Sequence, residues 1–376
     1  MTSKRPIALV AVVALLIAGA FLVISKINSS NPVKKLEQAA INCVGGSEKK
    51  EILDDKDVIE ILQDRYRLSV NYETLETFKM VQLTTEELAA DDVSCIWSSS
   101  TTAQQVFEGT HKLSDFKGYR AEVVIQSPEV LYSGPNTVKE LLKKKIAKQE
   151  PGGYLTVDMK RLLQDVILKG KDLNGRPSEI TSTDPVKSYS GFVLYQMLLP
   201  ILAVDSAYKS PSLSQARKVF PEIRRIYDEQ GLQPGNSTAG FQSWLNQGAE
   251  QKASLYAGYE NNAIKLLIQG GGDAGVGPQF KAKIRSLYPK PTIYADHPIL
   301  ALNKDGKRFI EAMKDPEIQK IIWQRYGLRS AVRFGANDAK DFKSLSLATD
   351  IEATAPPSYR VSLEMRECLI DEANCR

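Results

Sequence analysis

The stretch Asp92-Val93-Ser94-Cys95-Ile96-Trp97-Ser98-Ser99-Ser100-Thr101-Thr102 decides how this chain is read. Its first half is an apolar strand that runs directly into five hydroxyl residues. At such a junction a serine or threonine caps the next helix, because its side-chain oxygen accepts a first-turn N–H. The same order recurs on either side. Ala40-Ile41-Asn42-Cys43-Val44 reads as a buried strand stopped by Gly45-Gly46-Ser47, and Val58, Ile61, Leu62 and Tyr66 then share one helical face. Leu68-Ser69-Val70 opens another strand, and Tyr119 to Ile125 is a further one, ending at Ser127-Pro128. This βαβ rhythm predicts an α/β fold with a parallel sheet and helices on both faces.

The middle of the chain is richer in helix. Val138, Leu141, Leu142 and Ile146 form an apolar face, with Lys143-Lys144-Lys145 on its solvated side. Val157 to Ile167 repeats the pattern. Glu179-Ile180-Thr181 is a short strand, followed by Ser182-Thr183-Asp184-Pro185 and Ser188-Tyr189-Ser190-Gly191, after which Phe192 to Ala203 reads as a buried helix. Ala253 to Tyr259 is strand-like. Thr292 to Leu302 is a strand with a kink near His297-Pro298, and Asp315 with Pro316 and Glu317 starts a late helix that Gly327 stops. From about Ala353 onward, Pro356-Pro357 and two cysteines suggest an irregular tail. No long-period repeat is present.

The N-terminus sets the compartment. Lys4 and Arg5 precede Pro6 to Ile24, 19 uninterrupted apolar or small residues, long enough to span a bilayer. The run reads as an uncleaved signal anchor with its basic end in the cytoplasm; Ala18-Gly19-Ala20 offers the alternative of cleavage and secretion. Both place the body outside the cytoplasm. Removing Lys4, Arg5 and Lys26 from the 49 Lys and Arg leaves 46 against 45 Asp and Glu, a near-neutral body that gives no support for nucleic acid. The four cysteines, Cys43, Cys95, Cys368 and Cys375, fit an oxidising compartment. Cys368 and Cys375 are close enough for a local loop, while Cys43 and Cys95 either bridge neighbouring strands or remain buried thiols. With two histidines and no C-x-x-C, a Cys/His zinc site is not expected.

Several strands thus end in Ser, Thr or Gly and lead into helices. Helix N-termini at the carboxyl ends of strands offer unpaired N–H groups and a positive dipole end, a place for an anion even without Lys or Arg. The segments Gly46-Ser47-Glu48, Ile96-Trp97-Ser98-Ser99-Ser100, Ile125-Gln126-Ser127-Pro128-Glu129-Val130, Ser182-Thr183-Asp184-Pro185 with Ser188-Tyr189-Ser190-Gly191, Ala257-Gly258-Tyr259-Glu260, and Asp315-Pro316-Glu317 with Arg325-Tyr326-Gly327-Leu328 occur in that order. In order and spacing the chain, from about Ile41 to Arg333, resembles the class II periplasmic solute-binding proteins, nearest in style to those for sulfate, molybdate and tungstate. The resemblance implies two α/β lobes joined by a hinge, and the apolar run Pro6 to Ile24 would add an N-terminal transmembrane helix that departs from the family's usual form. Residues 1–31 would be anchor and linker, 38–134 with 285–350 lobe one, 135–284 lobe two, and 351–376 a C-terminal tail. It further implies capture of a small polar solute, first of all an oxyanion, for an ABC-type transporter permease, with no cofactor, no metal and no catalysis. Carried over by position, the solute contacts would be Ser47, Ser98, Ser99, Ser127, Ser182, Thr183, Ser190 and Tyr259.

Two other classes compete. A membrane-anchored sensor or interaction protein could use the same fold. A serine acyl-enzyme could use Ser47 and Lys50, which match S-x-x-K, but Ser-Asp-Asn and Lys-Thr-Gly are missing, and the bland reading is a helix start followed by exposed lysines. His297 reads as structural.

Overall fold

The strand pattern resolves into one ladder of eleven strands that works as two sheets. The computed structural model describes residues 36–376, so the expected anchor and linker over 1–31 lie outside the described residues. The first sheet contains β1 (Ala39–Gly45), β2 (Leu68–Thr74), β3 (Val93–Trp97), the first half of β4 (Arg120–Ser133), β10 (Tyr294–Ala301) and β11 (Arg329–Ser330). β1 pairs in parallel with β2 and β3, as the βαβ rhythm requires. β10 inserts between β3 and β4 and runs antiparallel to both, so the sheet is mixed rather than parallel. The second sheet contains the other half of β4, with β5 (Ala147–Gln149), β6 (Leu155–Asp158), β7 (Ile180–Thr181), β8 (Leu255–Tyr259) and β9 (Arg285–Lys290).

β4 does not stop at Ser127-Pro128. It runs on to Ser133, and at Pro128 it changes partners. Gln126 and Ile125 pair with β10 and β11, whereas Glu129 to Tyr132 pair with β8. Pro128 has no N–H to give a ladder, so its position suits the handover from one sheet to the other. The chain returns between β9, bonded in the second sheet, and β10, bonded in the first. β10 carries a register shift between His297 and Pro298, the kink expected from sequence.

Nine helices matter below. α1 (Ser47–Leu53), α2 (Thr77–Met80) and α3 (Thr101–Thr110) follow β1, β2 and β3. α4 (Tyr189–Val204), α5 (Leu213–Arg217), α6 (Phe220–Glu229), α7 (Ser237–Asn246) and α8 (Glu260–Gln269) attend the second sheet. α9 (Tyr359–Ile370) corrects the expectation of an irregular tail. Pro356-Pro357 end before its N-cap Ser358, and Val361, Met365, Cys368 and Leu369 recur at helical spacing and are buried. α4 is apolar all round and buried along most of its length, which is why it shows no polar face. Among the described residues no helix is long and apolar enough to cross a membrane.

Both cysteine pairs are bonded. Cys43 and Cys95 sit opposite each other on the parallel strands β1 and β3, and Cys368 closes on Cys375 at the end of α9. The first bridge closes 52 residues and the second 7. In the chain-entropy account the longer loop contributes about 4 kcal/mol and the shorter about 2 kcal/mol. We therefore expect Cys43→Ala with Cys95→Ala to lower the denaturant-unfolding free energy more than Cys368→Ala with Cys375→Ala. Equal losses in urea titrations would show that strand packing, not loop closure, sets the effect.

Candidate functional site

Where the two sheets face each other lies a cavity of about 480 Å³. From the first sheet it takes Gly46, Ser47, Glu48 and Glu51 of the β1–α1 turn, Thr74 to Thr77 after β2, and Ser99 after β3. From the second it takes Lys187 to Ser190 at the start of α4, Gly235 to Thr238 at the start of α7, and Tyr259, Asn261, Asn262 and Lys265 of β8–α8. His297, at the kink of β10, lines it too.

The sequence places these groups for local reasons. β1 ends at Gly45, and Gly46 is the N-cap of α1. A Cβ on Gly46 would stand 2.5 Å from Glu48 Oε2 and 2.9 Å from Ser99 Oγ, so a side chain there would displace the Glu48 carboxylate and the Ser99 hydroxyl from their present places. Gly191 has the same role opposite, where a Cβ would meet the Thr183 carbonyl at 2.0 Å. Asn236 caps α7 by accepting from Ala239 N, and Ser100 caps α3 by accepting from Ala103 N. The N-caps of α4 and α8, Ser188 and Tyr259, make no side-chain capping bond.

The floor on the first-sheet side is a closed polar network. Lys49 is fully buried, which overturns the reading of exposed lysines after Ser47. Its ammonium donates to Glu48 Oε1 at 2.5 Å and to Ser99 Oγ at 2.6 Å, and Ser99 Oγ donates to Glu48 Oε1 at 2.6 Å. Burial works to raise the Glu48 carboxyl, but the Lys49 charge, then His297 and the bonds from Lys49 and Ser99, hold it at about 2. Burial pulls the Lys49 ammonium down while Glu48 supports it. Lys50, the lysine of the S-x-x-K match, instead pairs with Asp54 at 2.7 Å on the exposed face.

Other polar groups on the cavity are open. Tyr259 Oη, Asn262 Nδ2 and both ring nitrogens of His297 have no hydrogen-bond partner, although these residues are 7%, 7% and 1% exposed. Burial and the Lys49 charge push His297 down to about 3, so its ring is neutral, with one donor and one acceptor nitrogen. His297 Nδ1 stands 3.5 Å from Glu48 Oε1. Behind Tyr259, its register partner Glu129 is buried with both carboxyl oxygens unpartnered, and burial raises its pKa well above the usual range. Lys265 reaches across the cavity to Glu51 at 2.6 Å, tying α8 to α1.

Of the eight residues chosen from sequence, Ser47, Ser99, Ser190 and Tyr259 line the cavity. The other four stand behind it. Ser98 Oγ donates to Ser100 O, Ser182 Oγ to Ala257 O, and Thr183 Oγ1 bonds Ser190 Oγ at 2.8 Å. Ser127 Oγ accepts from Asn261 N at 3.4 Å. The sequence reads His297 as structural and Lys49 as exposed, and it offers no reading of Asn262 or of the Asn236-Ser237-Thr238 turn. Only the last carried a usable signal, an N-cap residue after Pro234-Gly235. Among the described residues no group of three or more His, Cys, Asp or Glu is placed to hold a metal ion.

No protein-family model matches the chain, and no curated protein matches it. Solved structures do. A ferric binding protein from Campylobacter jejuni superposes with a TM-score of 0.56 at 13% identity, covering 88% of this chain and 97% of its own. An IdiA (FutA) protein from Trichodesmium, in complex with iron and citrate, gives 0.54 at 13% over 90% of this chain and 100% of its own. The periplasmic binding protein AfuA from Actinobacillus pleuropneumoniae, with fructose-6-phosphate bound, gives 0.52 at 12% over 89% and 97%. The chain therefore has the mixed α/β fold of periplasmic solute-binding proteins, as the resemblance implied.

A pH dependence follows from His297. Its folded pKa, about 3, lies below its ordinary value of 6.5, so its neutral burial contributes stability that is complete above 6.5. That contribution is lost as pH falls from 6.5 through 3. Melting temperature measured from pH 8 to pH 4 should decline below about 6.5, and His297→Gln should flatten the decline. An unchanged slope in the variant would mean that the ring is protonated inside the fold.

Proposed function

We propose that this chain is an extracytoplasmic solute-binding protein that captures a small polar solute bearing an oxyanion group between its two sheets. The observation that carries the reading is the set of unpartnered buried atoms on one cavity: Tyr259 Oη, Asn262 Nδ2 and the two nitrogens of His297. A buried polar atom without a partner costs about 1–3 kcal/mol, and a solute that bonds all of them offsets that cost only while it is bound.

The two walls differ in character, and this bears on the solute. The second-sheet wall presents the N-termini of α4 and α7 with Lys187 and Lys265, a donor-rich side suited to an anionic head. The first-sheet wall presents Glu48, which already accepts from Lys49 and Ser99, Glu51, which is paired with Lys265, and Glu76, an acceptor for hydroxyl or ammonium hydrogens. A cavity of about 480 Å³ is of a size for an organic solute rather than a bare tetrahedral ion. The lysines at the cavity also amend the expectation of an anion site without Lys or Arg.

The Lys49–Glu48–Ser99 network supports binding over catalysis. Ser99 donates its hydroxyl hydrogen bond to the Glu48 carboxylate, which at a pKa of about 2 is too weak a base to take the proton. In this reading the body lies outside the cytoplasm, where its two disulfides persist. The apolar run Pro6 to Ile24 tethers it to the inner membrane, and an ABC-type permease takes the solute on.

The test is thermal unfolding of residues 32–376 against inorganic phosphate and sulfate, sugar phosphates, amino acids and ferric citrate. A hundredfold excess over Kd stabilises the folded state by about 2.7 kcal/mol. We expect the largest rise in Tm from an organic anion that also carries hydroxyl or ammonium groups. Tyr259→Phe and His297→Asn should each weaken its binding by about 1–3 kcal/mol. No shift with any compound would turn the reading towards an anchored sensor or interaction protein.

A further inference from the structure

The C-terminal helix α9 touches elements of both sheets, and a buried polar relay joins it to the cavity. On the second-sheet side, Arg217 of α5 makes a bidentate pair with Glu364 at 2.7 and 2.8 Å. Arg224 of α6 donates to the Cys368 and Leu369 carbonyls at the end of α9, where the Cys368–Cys375 bridge closes the helix. On the first-sheet side, Tyr359 packs on Gly109 of α3, where a Cβ would come within 3.3 Å of its hydroxyl. The Arg366 guanidinium stands 4.8 Å from the ring centroid of Phe78 in α2. Phe78 packs edge-on against Phe192 of α4 at 5.6 Å.

Ser362 lies at the centre of this contact and is fully buried. Its hydroxyl donates to Pro357 O and accepts from Gln196 Nε2 at 3.0 Å. Gln196, also fully buried, gives its second N–H to Thr102 Oγ1 of α3 at 3.2 Å. Its carbonyl accepts from Tyr189 Oη at 2.9 Å. Tyr189 is the first residue of α4 and lines the cavity, two turns before Gln196 on the same helical face. Every polar atom of the Gln196 amide is thereby used, one bond to the cavity tyrosine, one to the first-sheet side and one to α9. Such a network holds its members in one arrangement, because any displacement leaves a buried donor or acceptor unpaired.

We propose that Gln196 and Ser362 are positioning residues for the cavity, and that α9 is a strap whose seating fixes Tyr189 and with it the start of α4. Because it contacts α5 and α6 on one side and α2 and α3 on the other, the strap also restrains how far these elements part. The role for the solute rests on the binding function proposed above, but the relay is tested without any solute.

The measurement is hydrogen exchange, read by mass spectrometry, on the full chain in detergent micelles. Ser362→Ala removes the acceptor that α9 offers to Gln196. We expect amides from Phe192 to Gln196 in α4, which are bonded within the helix, and those of α3 beyond Thr102 to exchange about tenfold faster, with β1, β3 and β10 unchanged. Ser362→Thr, which keeps the hydroxyl, should restore slow exchange. Arg217→Ala, which loosens an exposed pair of the strap without touching the relay, should leave the Phe192–Gln196 amides of α4 protected. The proposal is overturned if Ser362→Ala raises exchange in α9 alone, which would make α9 only a packed end of the chain. A uniform rise over all elements, not restored by threonine, would overturn it too. If exchange behaves as expected and no solute shifts Tm, the relay stands and the solute-binding reading falls.

Discussion

β4 is hydrogen-bonded in two sheets at once, and the cavity exists because of it. Its first half is held by β10 and β11 and its second by β8 and β9. Pro128 marks the handover, and one buried cluster joins Phe78 and Ala295 of the first-sheet side to Leu131 and Leu255 of the second. A strand shared in this way joins the two layers, and the turns at the ends of β1, β3 and β8 line the cavity beside it. β10, the returning partner, places His297 at that space by means of its irregular register. Sheet ends leave helix N-termini unpaired, and here those of α1, α4 and α7 meet across one cavity.

The chemistry of the cavity is divided between closed and open groups. Lys49, Glu48 and Ser99 satisfy one another, so a buried charge is kept without free base or free nucleophile. Tyr259 Oη, Asn262 Nδ2 and the ring nitrogens of His297 are buried without a hydrogen-bond partner, while Asn262 Oδ1 accepts from Ser237. Breaking a buried charge pair is costly, whereas an unanswered neutral group costs less and is easily met by a guest. The first set therefore gives the floor its shape, and the second leaves donors and acceptors turned to the cavity.

Much of the fold was legible because strands and amphipathic helices announce themselves by period. β1, β3, α3, the buried α4 and the kink in β10 all follow from apolar runs and their punctuation. β4 was cut short because Pro128 reads as a stop, and only the tertiary exchange of partners explains its continuation. α9 was missed because Pro356-Pro357 and the cysteines drew attention from the spacing of Val361, Met365 and Cys368. For the site, four of the residues chosen at strand ends line the cavity, and the other four cap or brace the turns behind it. Lys49 and Lys50 are neighbours in sequence with opposite fates, one buried and one exposed. No local pattern separates them, since α1 turns one toward Ser99 and the other toward Asp54.

Whether the open groups belong to a guest is the central question, and native mass spectrometry of the protein isolated from the cells that make it addresses it most directly. The expected result is a complex heavier than the polypeptide by one small organic anion, released on unfolding and absent from a Tyr259→Phe, His297→Asn double variant. A bare polypeptide mass under the gentlest conditions, identical in wild type and variant and unchanged on adding the released small-molecule fraction of the same cells, would contradict the account.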